Sequence, residues 1–324
     1  MILRVLELQL LEHYTLTTTQ LVSITQHTKN LVENCLADST KEAYKNDWRI
    51  FIQWCDAFKE IPFPATPETI AKFLTHQNLN GIAHPTLNRR LAAIKLRHES
   101  GGMDSPTKAP LIYKVMRGIK RTNKRVVVKK APATAERLES MIASCTDSIK
   151  GLRDRALLLL GFAGAFRRSE LVALTLADIE KTPEGIRVTI RQSKTDQEGK
   201  GETIAIPNGT RFRIVDSLYT WLKEADINDG YLFRSILKNA RVQEKALSPI
   251  DVARIIKRYA FNAGLTVSDF SGHSLRAGFL TSAAKAGASI HKMMETSRHK
   301  SIETLAGYVR SENLFENHAG EKFL

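Results

Sequence analysis

The sequence predicts a mainly α-helical protein with one small antiparallel β-sheet, divided into two domains. Three observations predict this. Apolar residues recur at helical spacing over most of the 324 residues, as in helices with one buried face. One segment changes to alternation: Ile186, Val188 and Ile190 interleave with Arg187, Thr189 and Arg191. Ile204 and Ile206 follow after a polar turn and end at Pro207, the period of half-buried strands. Between the halves, residues 123–133 carry Lys124-Arg125, Lys129-Lys130 and Pro132 without amphipathic period, and read as an extended basic linker.

In order, residues 1–37 read as helical in loose register, with Leu6, Leu8, Leu10, Leu11, Leu21, Leu31 and Val32 apolar. A clearer helix starts at Asp38-Ser39-Thr40, where Ser39 or Thr40 can cap it. It carries Tyr44, Trp48, Phe51, Ile52 and Cys55 at helical spacing. Thr66-Pro67-Glu68 starts a helix over Ile70–Leu79 that Asn80-Gly81 closes. The next helix runs from His84-Pro85-Thr86 to about His98. Leu87, Leu91 and Ile94 make one face, Arg89 points opposite, and Asn88, Arg90, Lys95 and Arg97 lie on the flanks. That pattern suits a polyanion on the basic side, and a solvated charged face looks the same. After Gly101-Gly102 a further helix covers Ala109–Arg121, closing an all-helical domain over residues 1–122.

The second domain, residues 134–324, opens with a helix over Thr134–Cys145. The apolar segment Leu152–Phe166, preceded by Asp147-Ser148, reads as a buried helix. After the strands, Ile214, Leu218, Trp221 and Leu222 form one helical stripe. Ser248-Pro249 caps a helix to about Ala263 with Val252, Ile255, Ile256 and Tyr259 inward.

Lys and Arg number 48 against 34 Asp and Glu, a formal net charge of +14. Such an excess is the footprint of a polyanion partner, most often nucleic acid, sometimes an anionic membrane surface. The apolar run Ala156–Phe166 is too short for a bilayer, which takes about 20 residues. Met1-Ile2-Leu3-Arg4 continues into Leu-rich sequence without a leader pattern. The expectation is a cytoplasmic protein without a membrane partner. Cys35, Cys55 and Cys145 form no CxxC pair, which indicates neither a disulfide framework nor a metal site and suggests buried thiols in a reducing compartment.

The chemistry concentrates in the last third. Ser271-Gly272-His273-Ser274-Leu275-Arg276 sets an imidazole and a guanidinium three residues apart, on one face of a helix starting near Ser271-Gly272. Arg298-His299-Lys300-Ser301 follows, and Tyr308 comes nine residues after His299. Opening a DNA strand takes a nucleophile, charge neutralisation at phosphorus and an acid for the departing oxygen. Arg suits the second role, because its fork matches phosphate oxygens. Two such forks can hold both non-bridging oxygens as charge builds. A Tyr hydroxyl serves as the nucleophile if those cations lower its cost of ionisation. The covalent phosphotyrosine conserves bond energy, so no ATP or other cofactor is required. A second Arg is offered by Phe166-Arg167-Arg168-Ser169-Glu170-Leu171, where Arg167 and Glu170 are three apart. Alone, that pair is also the pattern of a surface salt bridge.

Taken together, these residues resemble the tyrosine recombinase, or phage integrase, family, and its Cre-type members most closely. The resemblance covers nearly the whole chain: Trp54-Cys55, Met116-Arg117-Gly118-Ile119, Phe166–Leu171, Ser193–Gly201, Ser271–Gly278 and His299–Arg310. It implies a helical, SAM-like core-binding domain followed by an α+β catalytic domain. It also implies roles. Arg167 and Arg276 would grip the scissile phosphate, His273 would be a general base or a hydrogen-bond partner of it, and Glu170 would support the site. Lys194, in Gln192-Ser193-Lys194-Thr195-Asp196, would protonate the leaving 5′ hydroxyl, with Lys200 the competitor in the same turn. His299 stands where most members have His and Cre has Trp, and would hydrogen-bond the phosphate. Tyr308 would be the nucleophile.

The resemblance further implies a duplex DNA partner with inverted-repeat arms, clamped from opposite sides by the two domains. Asn88, Arg89, Arg90, Lys124 and Arg254 are the candidate DNA contacts. A terminal helix over about 312–324, with Leu314, Phe315, Phe323 and Leu324, would pass to a neighbouring copy and build a homotetramer on two sites. Two alternatives share parts of this pattern. A type IB topoisomerase would relax plasmids lacking any particular site, and a silent DNA-binding regulator would fail to cleave a suicide substrate.

Overall fold

The computed structural model describes residues 18–122, 130–191, 201–303, 305 and 307–308. The chain divides into two units, Met1–Val127 and Val128–Leu324.

The first unit is helical throughout: α1 (Thr18–Glu33), α2 (Asp38–Phe58), α3 (Pro67–Leu79), α4 (His84–Ser100) and α5 (Pro110–Thr122). Thr66 Oγ1 accepts from Thr69 N at 3.2 Å, with Pro67 in the first turn, so α3 starts where cap chemistry dictates. The start of α2 differs from expectation. Ala37 is the cap residue and contributes no side-chain bond; Asp38 supplies negative charge in the first turn instead. The core is aromatic and aliphatic, with Phe51 edge-on to Phe73 at 5.0 Å and Leu87 and Ile94 of α4 fully buried.

The flanks of α4 need correction. Arg90 is only 8% exposed. Its Nη1 donates to Gln77 Oε1, and its Nε lies 3.7 Å from Asp47. Arg89 is half exposed, but its guanidinium is held by both oxygens of the buried Asp47, at 2.7 and 3.0 Å. A carboxylate on the inner face of α2 thus draws two α4 cations toward the core, which helical spacing alone does not reveal. Cys35 is exposed, unlike buried Cys55 and Cys145, whose thiols burial pushes up to about 11.

The second unit comprises α6 (Ala135–Ala143), α7 (Ile149–Ala163), α8 (Arg168–Ala173), β1 (Ile179–Thr182), β2 (Gly185–Ile190), β3 (Glu202–Pro207) and α9 (Ile214–Glu224). It continues with β4 (Arg234–Ile236), β5 (Val242–Ala246), α10 (Pro249–Asn262), α11 (Ser274–Lys285) and α12 (Ile290–Ser297). Helix α7, apolar around nearly its whole circumference, is the central core element. The sheet order is β1-β2-β3, all antiparallel, with Ile186 opposite Ile206 and Val188 opposite Ile204. Their side chains are buried while Arg187 and Thr189 face out, the alternation seen in the sequence. Strands β1, β4 and β5 were not foreseen, being too short or too polar to show a period. Ser248 Oγ accepts from Asp251 N at 3.2 Å and starts α10.

Asp154, at 0% exposure, knots this unit together. Its Oδ1 accepts from Arg153 Nε and Nη2 at 2.9 and 2.7 Å. Its Oδ2 accepts from the Tyr259 hydroxyl at 3.2 Å and Arg258 Nη1 at 3.3 Å. Arg153 Nη1 also reaches the Arg234 carbonyl at 3.1 Å, so α7, α10 and β4 share one polar centre.

The predicted linker is only partly free of this unit. Ala131 N donates to Asp269 O at 2.7 Å, and Ala133 N to Ser274 O at 2.8 Å. Ala133 is fully buried, and a Cβ on Gly278 would lie 1.8 Å from its carbonyl oxygen, so α11 needs glycine there. Among the described residues, no helix is long and apolar enough to cross a membrane.

Candidate active site

The site is built where three helix ends meet. After α7 the chain turns through Gly164 and Ala165, the latter at φ 44°, and buries Phe166. Arg167 then caps α8, and Glu170 Oε2 accepts from its backbone N at 2.9 Å. The other oxygen, Oε1, accepts from Arg167 Nη1 at 2.5 Å. The RxxE spacing is therefore an internal clasp on a short helix.

The second end is the start of α11. The helix begins at Ser274 with His273 as its cap residue, one position outside the helical face expected for it. His273 is exposed, and its N–H donates to Ser271 Oγ at 3.2 Å. Arg276 is 5% exposed; its Nη1 donates to Ala165 O at 2.7 Å. The third end is the close of α12, where Arg298 adopts the left-handed conformation at φ 58° and His299 follows. Arg276 Nη2 lies 3.2 Å from His299 Nδ1 and 3.3 Å from Nε2. Tyr308 is half-buried, packs with the Leu280–Ala284–Met293–Leu305 cluster, and interacts electrostatically with Arg276.

Arg298, assigned no role from the sequence, is the most connected residue of the site. Its side chain is 2% exposed, and its Nη2 pairs with Glu170 Oε2 at 2.8 Å. It also donates to the carbonyls of Gly164 at 3.0 Å, Ala165 at 3.2 Å and Thr296 at 2.7 Å, and stacks over Phe166 with its guanidinium 5.1 Å from the ring centroid. Its place directly before His299 was the one available signal. A left-handed residue is normally marked by Gly or Asn, so an Arg there looks like surface charge.

The electrostatics are lopsided. Burial, and then the Arg167 and Arg298 charges, push the Arg276 guanidinium down to about 10. Burial lowers Arg298 as well, with Glu170 opposing. Burial alone would raise the Glu170 carboxyl, but Arg298 and the Arg167 contacts hold it below the usual carboxylate range. Burial and then Arg276, Arg167 and Arg298 depress His299 to about 4, so its imidazole is neutral at pH 7.

Its tautomer follows from one serine. Ser297 Oγ lies 2.6 Å from Met293 O and 2.7 Å from His299 Nδ1. The carbonyl can only accept, so the single hydroxyl proton goes to it, and the second contact is a hydrogen bond if Nδ1 carries its proton. His299 therefore presents an unprotonated Nε2. The free protein's His299 resonances are expected to stay flat from pH 8 to about pH 5 and to titrate below that. NMR titration checks this; a midpoint near the ordinary 6.5 would refute it. Because the folded pKa is depressed, stability rises with pH between the folded and unfolded values, and acid removes it.

The structure thus brings Arg167, Glu170, Arg276 and His299 into one network with Arg298, and Tyr308 beside it. Lys194, Lys200, Lys124 and the 312–324 segment lie outside the described residues. Asn88 is exposed on α4. Arg254 is exposed on α10 and pairs with Asp251 at 2.8 Å.

The phage integrase family matches residues 133–314. An integrase/recombinase XerD homolog of Selenomonas ruminantium is 38% identical over 298 residues, covering 90% of this chain and 87% of the relative. Recombinase Cre of Escherichia phage P1 is 25% identical over 280 residues, covering 81% of each chain. In fold, the chain is similar to XerH site-specific recombinase bound to a palindromic difH substrate in a post-cleavage complex (TM-score 0.61, 18% identity, 79% of this chain and 72% of that one). It is likewise similar to the Tn1549 transposon integrase in complex with transposon right-end DNA (TM-score 0.63, 14% identity, 87% of this chain and 92% of that one). The chain belongs to the phage integrase family and is a tyrosine-type site-specific DNA recombinase.

Proposed function

We propose that this recombinase opens each DNA strand through Tyr308, leaving a 3′-phosphotyrosine and a free 5′ hydroxyl. One observation carries the reading: Arg167 and Arg298 pair with the Glu170 carboxylate, and Arg276 lies within its field. Buried cations in excess of their counter-charge are costly unless an anion completes them. A phosphodiester has the charge and the fork-matching oxygens to do so.

In the reaction, Tyr308 Oη forms a bond to phosphorus as the bond from phosphorus to the 5′ oxygen breaks. His273 accepts the phenolic proton, and Lys194 returns a proton to the 5′ oxygen. Arg167 and Arg276 hold the non-bridging oxygens and neutralise charge that grows in the transition state. Burial is the larger cause of the low His299 basicity, but the bound phosphate offsets the field of the arginines and raises that basicity, which favours a proton on Nε2 donated to a phosphate oxygen. Reversal with the 5′ hydroxyl of a partner strand reseals the backbone without an external energy source.

The DNA is read as a duplex with inverted-repeat arms. Asn88, Arg89 and Arg254 make base or phosphate contacts, and Lys124 makes phosphate contacts. Arg90 serves from inside, steadying the α4 face. Four copies on two sites, linked through residues 312–324, carry out the exchange. The assembly rests on the likeness to Cre-type members. A duplex nicked beside the scissile phosphate tests the chemistry, because loss of the short 5′-hydroxyl fragment traps the adduct. The expected product is a covalent complex whose DNA-linked peptide contains Tyr308; linkage to another residue would overturn the assignment.

A further inference from the structure

Arg298 joins two arginines that come from different helices. Glu170 divides its oxygens, Oε1 to Arg167 Nη1 and Oε2 to Arg298 Nη2. The Ala165 carbonyl is likewise shared, by Arg276 Nη1 at 2.7 Å and Arg298 Nη2 at 3.2 Å. Arg298 therefore touches both groups that hold the phosphate-binding forks, and with its side chain 2% exposed it is sealed from the DNA. We propose that Arg298 is a positioning residue of the strand-cleavage reaction: it occupies Glu170 and the Gly164–Ala165 turn, and so keeps Arg167 and Arg276 oriented toward the phosphate and electrostatically available to it.

The physical argument is one of competition. A buried carboxylate facing two cations draws whichever is unopposed. With Arg298 present, the Glu170 carboxylate is shared between Arg167 and Arg298, and Glu202 acts on Arg298 from farther off. Arg276, bound to the Ala165 carbonyl, and Arg167 keep more of their positive charge for the phosphate. Without it, Glu170 stays in place, its Oε2 still held by the Arg167 backbone N–H and its Oε1 by Arg167 Nη1, and the whole of its negative charge falls on Arg167 and Arg276. The site then offers one net positive charge, and Arg276 loses the partner that steadies Ala165. The contact to the Gly164 carbonyl acts in the same direction, since it fixes the turn that precedes Arg167, and the contact to Thr296 holds the Arg298 side chain against its own helix end.

The inference rests on Arg167 and Arg276 binding the phosphate, and its test separates the two. Covalent adduct formation on a nicked duplex is measured as a rate for the full chain, R298M, E170Q and R298M/E170Q, with DNA affinity measured alongside. R298M is expected to form adduct at least ~100-fold more slowly, as when a transition-state donor is lost, while its affinity changes by less than about 3-fold. The double variant, which again has two uncompensated guanidiniums, is expected to recover at least ~10-fold of that loss, a positive coupling in the cycle. A residue that merely fills space predicts the opposite, because removing both partners would add the two defects. A double variant no faster than R298M, or an R298M chain at the unchanged rate, overturns the proposal. Should R298M not fold, R298Q gives the same comparison, since its amide can still donate to the turn carbonyls without the charge. Failure of the unchanged chain to form any adduct would instead defeat the phosphate-site reading.

Discussion

A Tyr308→Phe chain is expected to bind its DNA as the unchanged chain does and to form no covalent adduct with it. The phenyl ring keeps the packing against Leu280, Ala284, Met293 and Leu305, so the fold loses at most one hydrogen bond, about 1 kcal/mol. The chemistry loses its attacking oxygen, and the rate is expected to fall by at least ~10⁴-fold. Native gels report binding and denaturing gels report adduct. Two other tyrosines of the second unit are poor substitutes. Burial raises Tyr219, and burial followed by the Asp154 charge raises Tyr259, which makes each phenol harder to ionise. Tyr308 interacts electrostatically with the Arg276 guanidinium of the site. Adduct from the Phe chain would sink the assignment.

The largest stability effect is expected at Asp154. Replacement by Ala removes the carboxylate paired with Arg153, which is 4% exposed, and takes an acceptor from the Tyr259 hydroxyl and from Arg258. A buried cation left without its partner costs about 3–5 kcal/mol, a large part of a typical domain's stability. Urea unfolding followed by circular dichroism should show the loss, and the fraction that remains folded should still cleave DNA, since Asp154 touches none of the site residues. A loss below about 1 kcal/mol would mean that Arg153 finds other partners.

Much of the fold was legible because its causes are local. Thr66, Ser248 and the Ile186–Val188–Ile190 alternation act on their own neighbours, so helix starts and two of the strands could be read directly. The sheet's first strand, Ile179–Thr182, could not: four residues with mixed burial are held by pairing to β2 rather than by their own pattern. The same division runs through the site. Arg167, Glu170, His273, Arg276, His299 and Tyr308 were visible as residue types in an order. Arg298 was not, because its importance lies in contacts to residues more than 120 positions away. The α4 cations failed for a related reason. Helical spacing put Arg89 outward, but the field of Asp47, some forty positions upstream, decides where its charge is directed.

The strap at residues 130–133 has a mechanical consequence. Lys130 Nζ holds Ser268 O at 2.7 Å, and the Ala131 and Ala133 amides hold Asp269 O and Ser274 O. These acceptors flank the short turn that delivers His273 and Arg276. Tension entering the chain at Lys130 is therefore carried by three hydrogen bonds onto that turn, with Gly278 letting Ala133 press directly on α11. Residues 130–133 are thus tied along the turn that carries His273 and on to the first residue of α11, the helix of Arg276.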